Sequence, residues 1–290
     1  MKRLITSKRP MMRQVISAIS ILILLTALAQ GQNLFEADGD GSIYKFAPNG
    51  TRSTFASGLS PLALAFDSAG NLFEGEYSGC IYKFTPEGTR STFASGLYYS
   101  AALAFDRAGN LFVGRGISGG CIYKFAPDGT RSTFASGLYY SAALASDSAG
   151  NLFAADIDYG IYKFAPDGTR STFASGLYPY ALAFDSAGNL FEGDFDGSIY
   201  KFAPDGTRST FTSGLSPLAL AFDSAGNLFE ADYGQGFGQG IIYKFAPNGT
   251  RSTFASGLSP NALAFQPVPE PATILLLSLG GLAVIKRRRT

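Results

Sequence analysis

The chain has no histidine and no tryptophan in 290 residues, and only two cysteines and three methionines. Without histidine, the commonest general base and the commonest zinc ligand are both missing. No Ser/His or Cys/His nucleophile pair can form. Positive charge is also scarce where a partner would need it. Of the 23 basic residues, five lie in the first 13 positions and four at 286–289, whereas 21 of the 22 acidic residues lie in the interior. The interior therefore carries a formal charge of about −7. A nucleic-acid binder would show the opposite sign, so no nucleic-acid partner is expected.

What is abundant is repetition. Asn-Leu-Phe begins at residues 33, 71, 110, 151, 189 and 227, in steps of 38, 39, 41, 38 and 38. Self-similarity at this period marks a repeat architecture. The unit at 189–226 contains four short runs of strand-forming residues, at 189–192, 198–202, 208–211 and 218–222. They are separated by Gly, Pro, Asn and Asp, the signal for strands rather than helices. Pro-Asp-Gly at 204–206 and Pro-Asn-Gly at 48–50 and 247–249 are hairpin turns, and Asp-Ser-Ala-Gly-Asn at 223–227 is a second tight turn. Four antiparallel strands per unit describe a propeller blade.

The phase of the repeat predicts how the ring closes. The first unit lacks its own Ala-Leu-Ala-Phe strand, while the last ends with one at 262–265. If that strand is innermost, the C-terminal copy completes the blade begun at Asn33 and removes the exposed sheet edges. The expectation is an all-β, six-bladed propeller over residues 30–266. Of the 25 phenylalanines, 23 fall at repeated strand positions, which assigns them to packing between blades. The six tyrosines of Ile-Tyr-Lys-Phe and the repeated Lys and Arg are expected to be structural too. Cys80 and Cys121 hold equivalent places in adjacent repeats. Such positions should lie well beyond the roughly 7 Å Cα limit for a disulfide, so two free thiols are expected.

The pattern Ala-Leu-Ala-Phe-Asp, Gly-Asn-Leu-Phe, Ile-Tyr-Lys-Phe, Asp-Gly resembles the blades of NHL and SMP-30/gluconolactonase-like propellers. The resemblance runs from Asn33 to Phe265. It implies architecture; such propellers include enzymes, scaffolds and binding proteins.

Strand direction alternates, so two sets of connections open on opposite faces. The turns after the innermost and after the third strand hardly vary. The loops between second and third strands, and the connections leading into the innermost strands, carry nearly all the variation. Nine tyrosines beyond the strand copies lie there: Tyr77, Tyr98, Tyr99, Tyr139, Tyr140, Tyr159, Tyr178, Tyr180 and Tyr233. Phe195 and Phe237 join them, as do Glu76, Asp38, Asp40, Asp156, Asp158, Asp194, Asp196 and Asp232. Tyrosine offers a flat apolar ring with a polar tip, which suits sugars or peptides. Drift between recent duplicates is the competing reading. On the binding reading, Tyr98, Tyr99, Tyr139, Tyr140, Tyr178 and Tyr180 crowd the mouth of the channel, with Tyr159 and Tyr233 nearby.

Lactonases of the resembling family hold a divalent metal with carboxylates and Asn at the channel end of inner strands. Here Asp67, Asp106, Asp147, Asp185 and Asp223 follow the innermost strand and fall on the opposite face. Asn261 is the one metal-competent side chain at the variable end. Asp38-Gly-Asp40-Gly and Asp194-Phe-Asp196-Gly hint at calcium but lack the spacing of a calcium loop, and are expected to be solvated loop carboxylates. No catalytic residue, metal or cofactor is expected; a metal-dependent lactonase-like hydrolase is the alternative.

The two ends read as targeting segments. A basic stretch, an apolar run at 15–29 and Ala27-Leu28-Ala29 suggest a secretion signal over 1–29. After Phe265 come Pro269-Glu270-Pro271, an apolar run at 272–285 and Lys286, Arg287, Arg288 and Arg289. That run is brief for a permanent span, which needs roughly 20 residues, and its basic end favours the cytoplasm. Segment 267–290 closely resembles the PEP-CTERM sorting signal, with its Pro-Glu-Pro, hydrophobic helix and basic terminus. The resemblance implies an exosortase-type membrane protease as partner and transient inner-membrane association. It also implies delivery to the cell surface or extracellular matrix of a Gram-negative, exopolysaccharide-making bacterium. The expected function is a non-enzymatic binding or structural component there, with extracellular polysaccharide or peptide as the candidate partner.

Overall fold

The computed structural model describes residues 31–117, 119–234 and 236–268, so the expected signal segment and the sorting tail from Pro269 onward lie outside the described residues. Residues 32–267 form one unit. Its 24 strands make six four-stranded antiparallel sheets, and no helix occurs among the described residues. Blades are numbered one to six here by their Asn-Leu-Phe copies. The innermost strands are Pro260–Phe265, Pro61–Phe66, Ser100–Phe105, Ser141–Ser146, Pro179–Phe184 and Pro217–Phe222. Each packs against the next around a complete circle, Pro260–Phe265 meeting Pro61–Phe66.

Closure follows the predicted phase. Leu34–Asp38 pairs antiparallel with Pro260–Phe265, Leu34 opposite Phe265 and Ala37 opposite Ala262. In the other five blades an aspartate holds the turn from innermost to second strand. Asp67 Oδ1 accepts the Asn71 N–H at 2.8 Å, and its Oδ2 accepts Asn71 Nδ2 at 2.7 Å. At the closing blade no peptide links these strands, and Gln266 takes the aspartate's place. Its Oε1 accepts Asn33 Nδ2 at 2.9 Å, and its N–H donates to Asn33 O at 3.0 Å. Gln32 braces the junction, donating to Gln266 O at 2.9 Å and accepting the Ser224 N–H of the sixth blade at 2.6 Å.

Six apolar clusters fill the spaces between adjacent blades. Each is built on edge-on phenylalanines, as where Phe35 meets Phe55 at 5.0 Å and Phe66 at 5.1 Å. Edge-to-face geometry lets the positive ring edge meet a negative face. The repeated basic residues stack on rings of the second and third strands. Lys45 lies over Phe35 and Arg52 over Tyr44, and every blade repeats both stacks. In the fourth blade Ser146 stands where the others have phenylalanine, and its buried Oγ has no hydrogen-bond partner. Cys80 and Cys121 are both free.

The hairpin between third and outer strands needs glycine for a conformational reason. Ala47 O accepts the Gly50 N–H at 2.8 Å, and Gly50 sits at φ +83°, where a side chain is strained.

Candidate functional site

The variable connections share one face because they are hydrogen-bonded to each other. Each second–third loop donates a backbone N–H to the residue just before an innermost strand. Gly39 donates to Ser259, Tyr77 to Ser60, Gly116 to Tyr99, Ile157 to Tyr140, Phe195 to Tyr178 and Tyr233 to Ser216, at 2.8–3.2 Å. This is the loop face. The short aspartate turns form the turn face.

Beneath the loop face lies a layer of carboxylates whose role differs from the sequence expectation. Asp38, Glu76, Asp156, Asp194 and Asp232 are buried, not solvated. Each ends a second strand and accepts N–H groups of the connection above it. Asp38 takes Ser259 at 2.9 Å, Glu76 takes Ser60 at 3.2 Å, and Asp194 takes Tyr178 at 2.9 Å. Asp156 takes both Tyr139 and Tyr140, at 2.9 and 3.0 Å, and Asp232 takes Ser216 at 2.8 Å. These groups satisfy the backbone of a crowded connection, and so belong to the scaffold rather than to an acidic ligand surface. Asp40 and Asp196 lie higher and accept the Tyr44 and Tyr200 hydroxyls at 2.6 and 2.7 Å. Asn261, the expected metal-competent group, donates its Nδ2 to Pro61 O at 3.0 Å. Among the described residues no group of three His, Cys, Asp or Glu side chains is placed to hold a metal ion.

Above that layer stand the tyrosines. Tyr98, Tyr139 and Tyr178 are about half exposed, at 48, 42 and 52 %, and occupy equivalent rim positions of blades three, four and five. Blades two, six and one have Ser60, Ser216 and Ser259 there. This position is thus tyrosine in three consecutive blades and serine in the other three, of which Ser259 is buried. Tyr77, Tyr98, Tyr99 and Tyr140 form one group: Tyr98 donates its hydroxyl to Tyr77, and Tyr140 to Tyr99, both at 3.0 Å. Burial, followed by the bond to Tyr99, raises the Tyr140 phenol well above its usual range. Tyr139 meets Tyr159 at 6.2 Å between centroids, and Tyr180 meets Phe195 at 5.9 Å. Tyr159, Phe195, Tyr233 and Phe237 are exposed.

Only Tyr180 of the expected tyrosines lines the channel; the others stand on the rim or pack on one another. The channel cavity, of about 90 Å³, is lined next by Leu62, Ala101, Ala142, Leu218 and Asn261, and then by a ring of six leucines that includes Leu64 and Leu182. Side chains on the innermost strands fill it because six strands leave a narrow bore. The larger depression, about 520 Å³, opens on the turn face among Asp106, Arg107, Asp147, Ser146 and Phe184.

Sequence reasoning missed four buried acids. Glu36, Glu74, Glu192 and Glu230, in the middle of their second strands, are 0 % exposed, and neither carboxyl oxygen of any has a hydrogen-bond partner. Burial, reinforced by the carboxylate two residues on, pushes Glu36, Glu192 and Glu230 up to about 9 and Glu74 up to about 8. They are therefore held protonated at neutral pH. The repeated Glu in Leu-Phe-Glu was visible, but nothing local marked it as enclosed.

The fold defines a six-bladed β-propeller of four-stranded blades. Residues 267–289 match the PEP-CTERM protein-sorting motif, which marks the chain for export through an inner-membrane-anchored precursor, exosortase processing and sorting to the cell surface of a Gram-negative bacterium. Among solved structures, a gluconolactonase of Xanthomonas campestris is similar at 17 % identity, with a TM-score of 0.62 over 73 % of this chain and 84 % of that one. A putative gluconolactonase is similar at 16 % identity and TM-score 0.60, covering 82 and 95 %. A protein of unknown function from Bacteroides caccae is similar at 13 % and 0.60, covering 81 and 99 %. At such identities the likeness shows the fold alone. No curated protein sequence matches the chain.

Proposed function

We propose that the exported ring is a non-enzymatic binding protein of the cell surface or exopolysaccharide matrix, holding a saccharide or peptide on its loop face. The observation that carries this reading is the concentration of exposed aromatic rings on one face of an otherwise repetitive disc. The flat faces and hydroxyl tips of the tyrosines suit pyranose rings. The test is binding of the purified exported protein to the producer's own exopolysaccharide and to a glycan array. Tyr139→Ala plus Tyr178→Ala should weaken any hit at least tenfold. A hit that the double variant leaves unchanged would move the ligand elsewhere.

The second reading is a lactonase-like hydrolase, favoured by the fold shared with gluconolactonases. Against it stand the leucine-lined channel and the commitment of Asn261 to Pro61. Lactone turnover with added zinc, calcium or manganese, lost in Asn261→Ala, would establish the hydrolase in place of the binding protein.

A further inference from the structure

We propose that blade three carries a subsite for the carboxylate of an acidic sugar. Arg115 is its anion-binding group, and the tyrosines of blades three to five are the stacking platform for the rest of a uronate-containing polysaccharide strand. The proposal rests on the binding reading and narrows its ligand.

The last residue of the second strand is a carboxylate in five blades and Arg115 in the third. The exchange reverses the polarity of the connection above it. Where the carboxylates accept N–H groups, Arg115 Nε donates to Tyr98 O at 3.3 Å. Tyr99 then takes φ +61°, the only positive φ of a non-glycine residue among those described. Its ring lies on Gly116, where an added Cβ would come within 2.6 Å of two ring carbons. A strained, non-glycine left-handed residue persists only when its surroundings over-determine it, and such residues cluster at ligand sites.

The guanidinium also lacks a counter-charge. Among the described residues one ion pair occurs, Lys83 with Asp67 at 3.8 Å. The twelve repeated basic residues, Lys83 among them, lie over Phe rings of second strands or Tyr rings of third strands, and Arg107 belongs to the turn-face depression. Arg115 is the one basic residue that ends a second strand at the loop face. It lies under Tyr98, at the head of the arc that continues through Tyr139 and Tyr178.

Charge decides the ligand class. A planar guanidinium pairs with a carboxylate through two parallel N–H bonds. The interior's formal charge of about −7 disfavours a dense polyanion. One isolated cation among polar-tipped rings suits a strand whose carboxylates are spaced along neutral, stackable sugar rings. A peptide rich in acids would meet one cation and several buried carboxylates.

The test titrates the purified exported protein with oligogalacturonate, a neutral β-glucan of equal length, and poly-glutamate. Arg115→Asp restores the residue class of the other blades, so this variant should fold and melt no lower than the parent. We expect oligogalacturonate to bind best, to weaken with salt, and to lose roughly tenfold or more in Arg115→Asp. Equal binding of the neutral glucan, untouched by Arg115→Asp but weakened by Tyr139→Ala plus Tyr178→Ala, would overturn the acidic subsite and leave the binding reading standing. Tighter binding of poly-glutamate would overturn it in favour of a peptide. No binding of any of the three probes would overturn both readings.

Discussion

The two faces of the disc are built from the same six repeats, yet only one of them stays a repeat. On the turn face, Asp67 accepts from Ala69 and Asn71 and Asp185 from Ala187 and Asn189 in the same three bonds, and Gln266 with Asn33 imitates the pairing across the chain ends. On the loop face, connections differ in length and sequence while a buried carboxylate layer holds five of the six to one geometry. The turn face is rigid at its surface. The loop face is rigid one layer below its surface, which leaves the surface free to vary. Variation is tolerated where side chains leave no buried group unpaired.

The largest effect should come from breaking the equivalence of the closing blade. Deleting residues 259–265 strips Leu34–Asp38 of its inner partner and opens the ring. We expect loss of the single cooperative melting transition, read by circular dichroism. A deletion variant that melts like the parent would mean that closure is incidental.

The buried glutamic acids sharpen the comparison next, because they lie between the two faces. Their folded pKa values of about 8 to 9 exceed the ordinary 4.5. The neutral acid is thus the form the fold accepts. Their full contribution to stability is present below pH 4.5 and is lost as pH rises through 8 to 9, by at most about 1.4 kcal/mol per pH unit and group. Glu192→Gln cannot ionise, so it should melt several degrees above the parent at pH 8 and level with it at pH 4. Parallel melting curves at every pH would show that Glu192 has a partner or a path to water.

Between the faces themselves, the buried clamp should outweigh the exposed turn. Asp194→Ala leaves the Tyr178 and Asp196 N–H groups without acceptors, and should cost about 2 kcal/mol in a urea melt. Asp185→Ala, on the solvated turn face, should cost about 1 kcal/mol. The reverse order would contradict the two-layer description of the loop face. The smallest effect belongs to the free layer: Tyr178→Ala should change stability by less than about 0.5 kcal/mol, since its ring is half exposed.

Much of the ring was legible because its signals are local. Asn-Leu-Phe and Ile-Tyr-Lys-Phe alternate at the strand period, Pro-Asp-Gly encodes a turn in three residues, and the misplaced Ala-Leu-Ala-Phe copy gave both the blade count and the closure. The site was less legible. Asp38 and Asp194 sit in Gly-rich loops that read as solvated, yet the neighbouring connection folds over them. Tyr98, Tyr139 and Tyr178 were expected at the channel mouth, but each precedes its innermost strand and stands exposed on the rim. Arg115 was one basic residue among 23 until its place was compared across blades.

The sequence by itself determined the strands, their turns, the sixfold repeat and the segment that sorts the product, since each is written within a few adjacent residues. Only the tertiary structure decided which polar side chains are enclosed. Second strands are covered on both faces by neighbouring blades, so an alternating pattern that would put Glu36 in water on a free sheet instead buries it, uncharged, between two blades. Burial depends on what packs from elsewhere in the chain, and no local pattern specifies that.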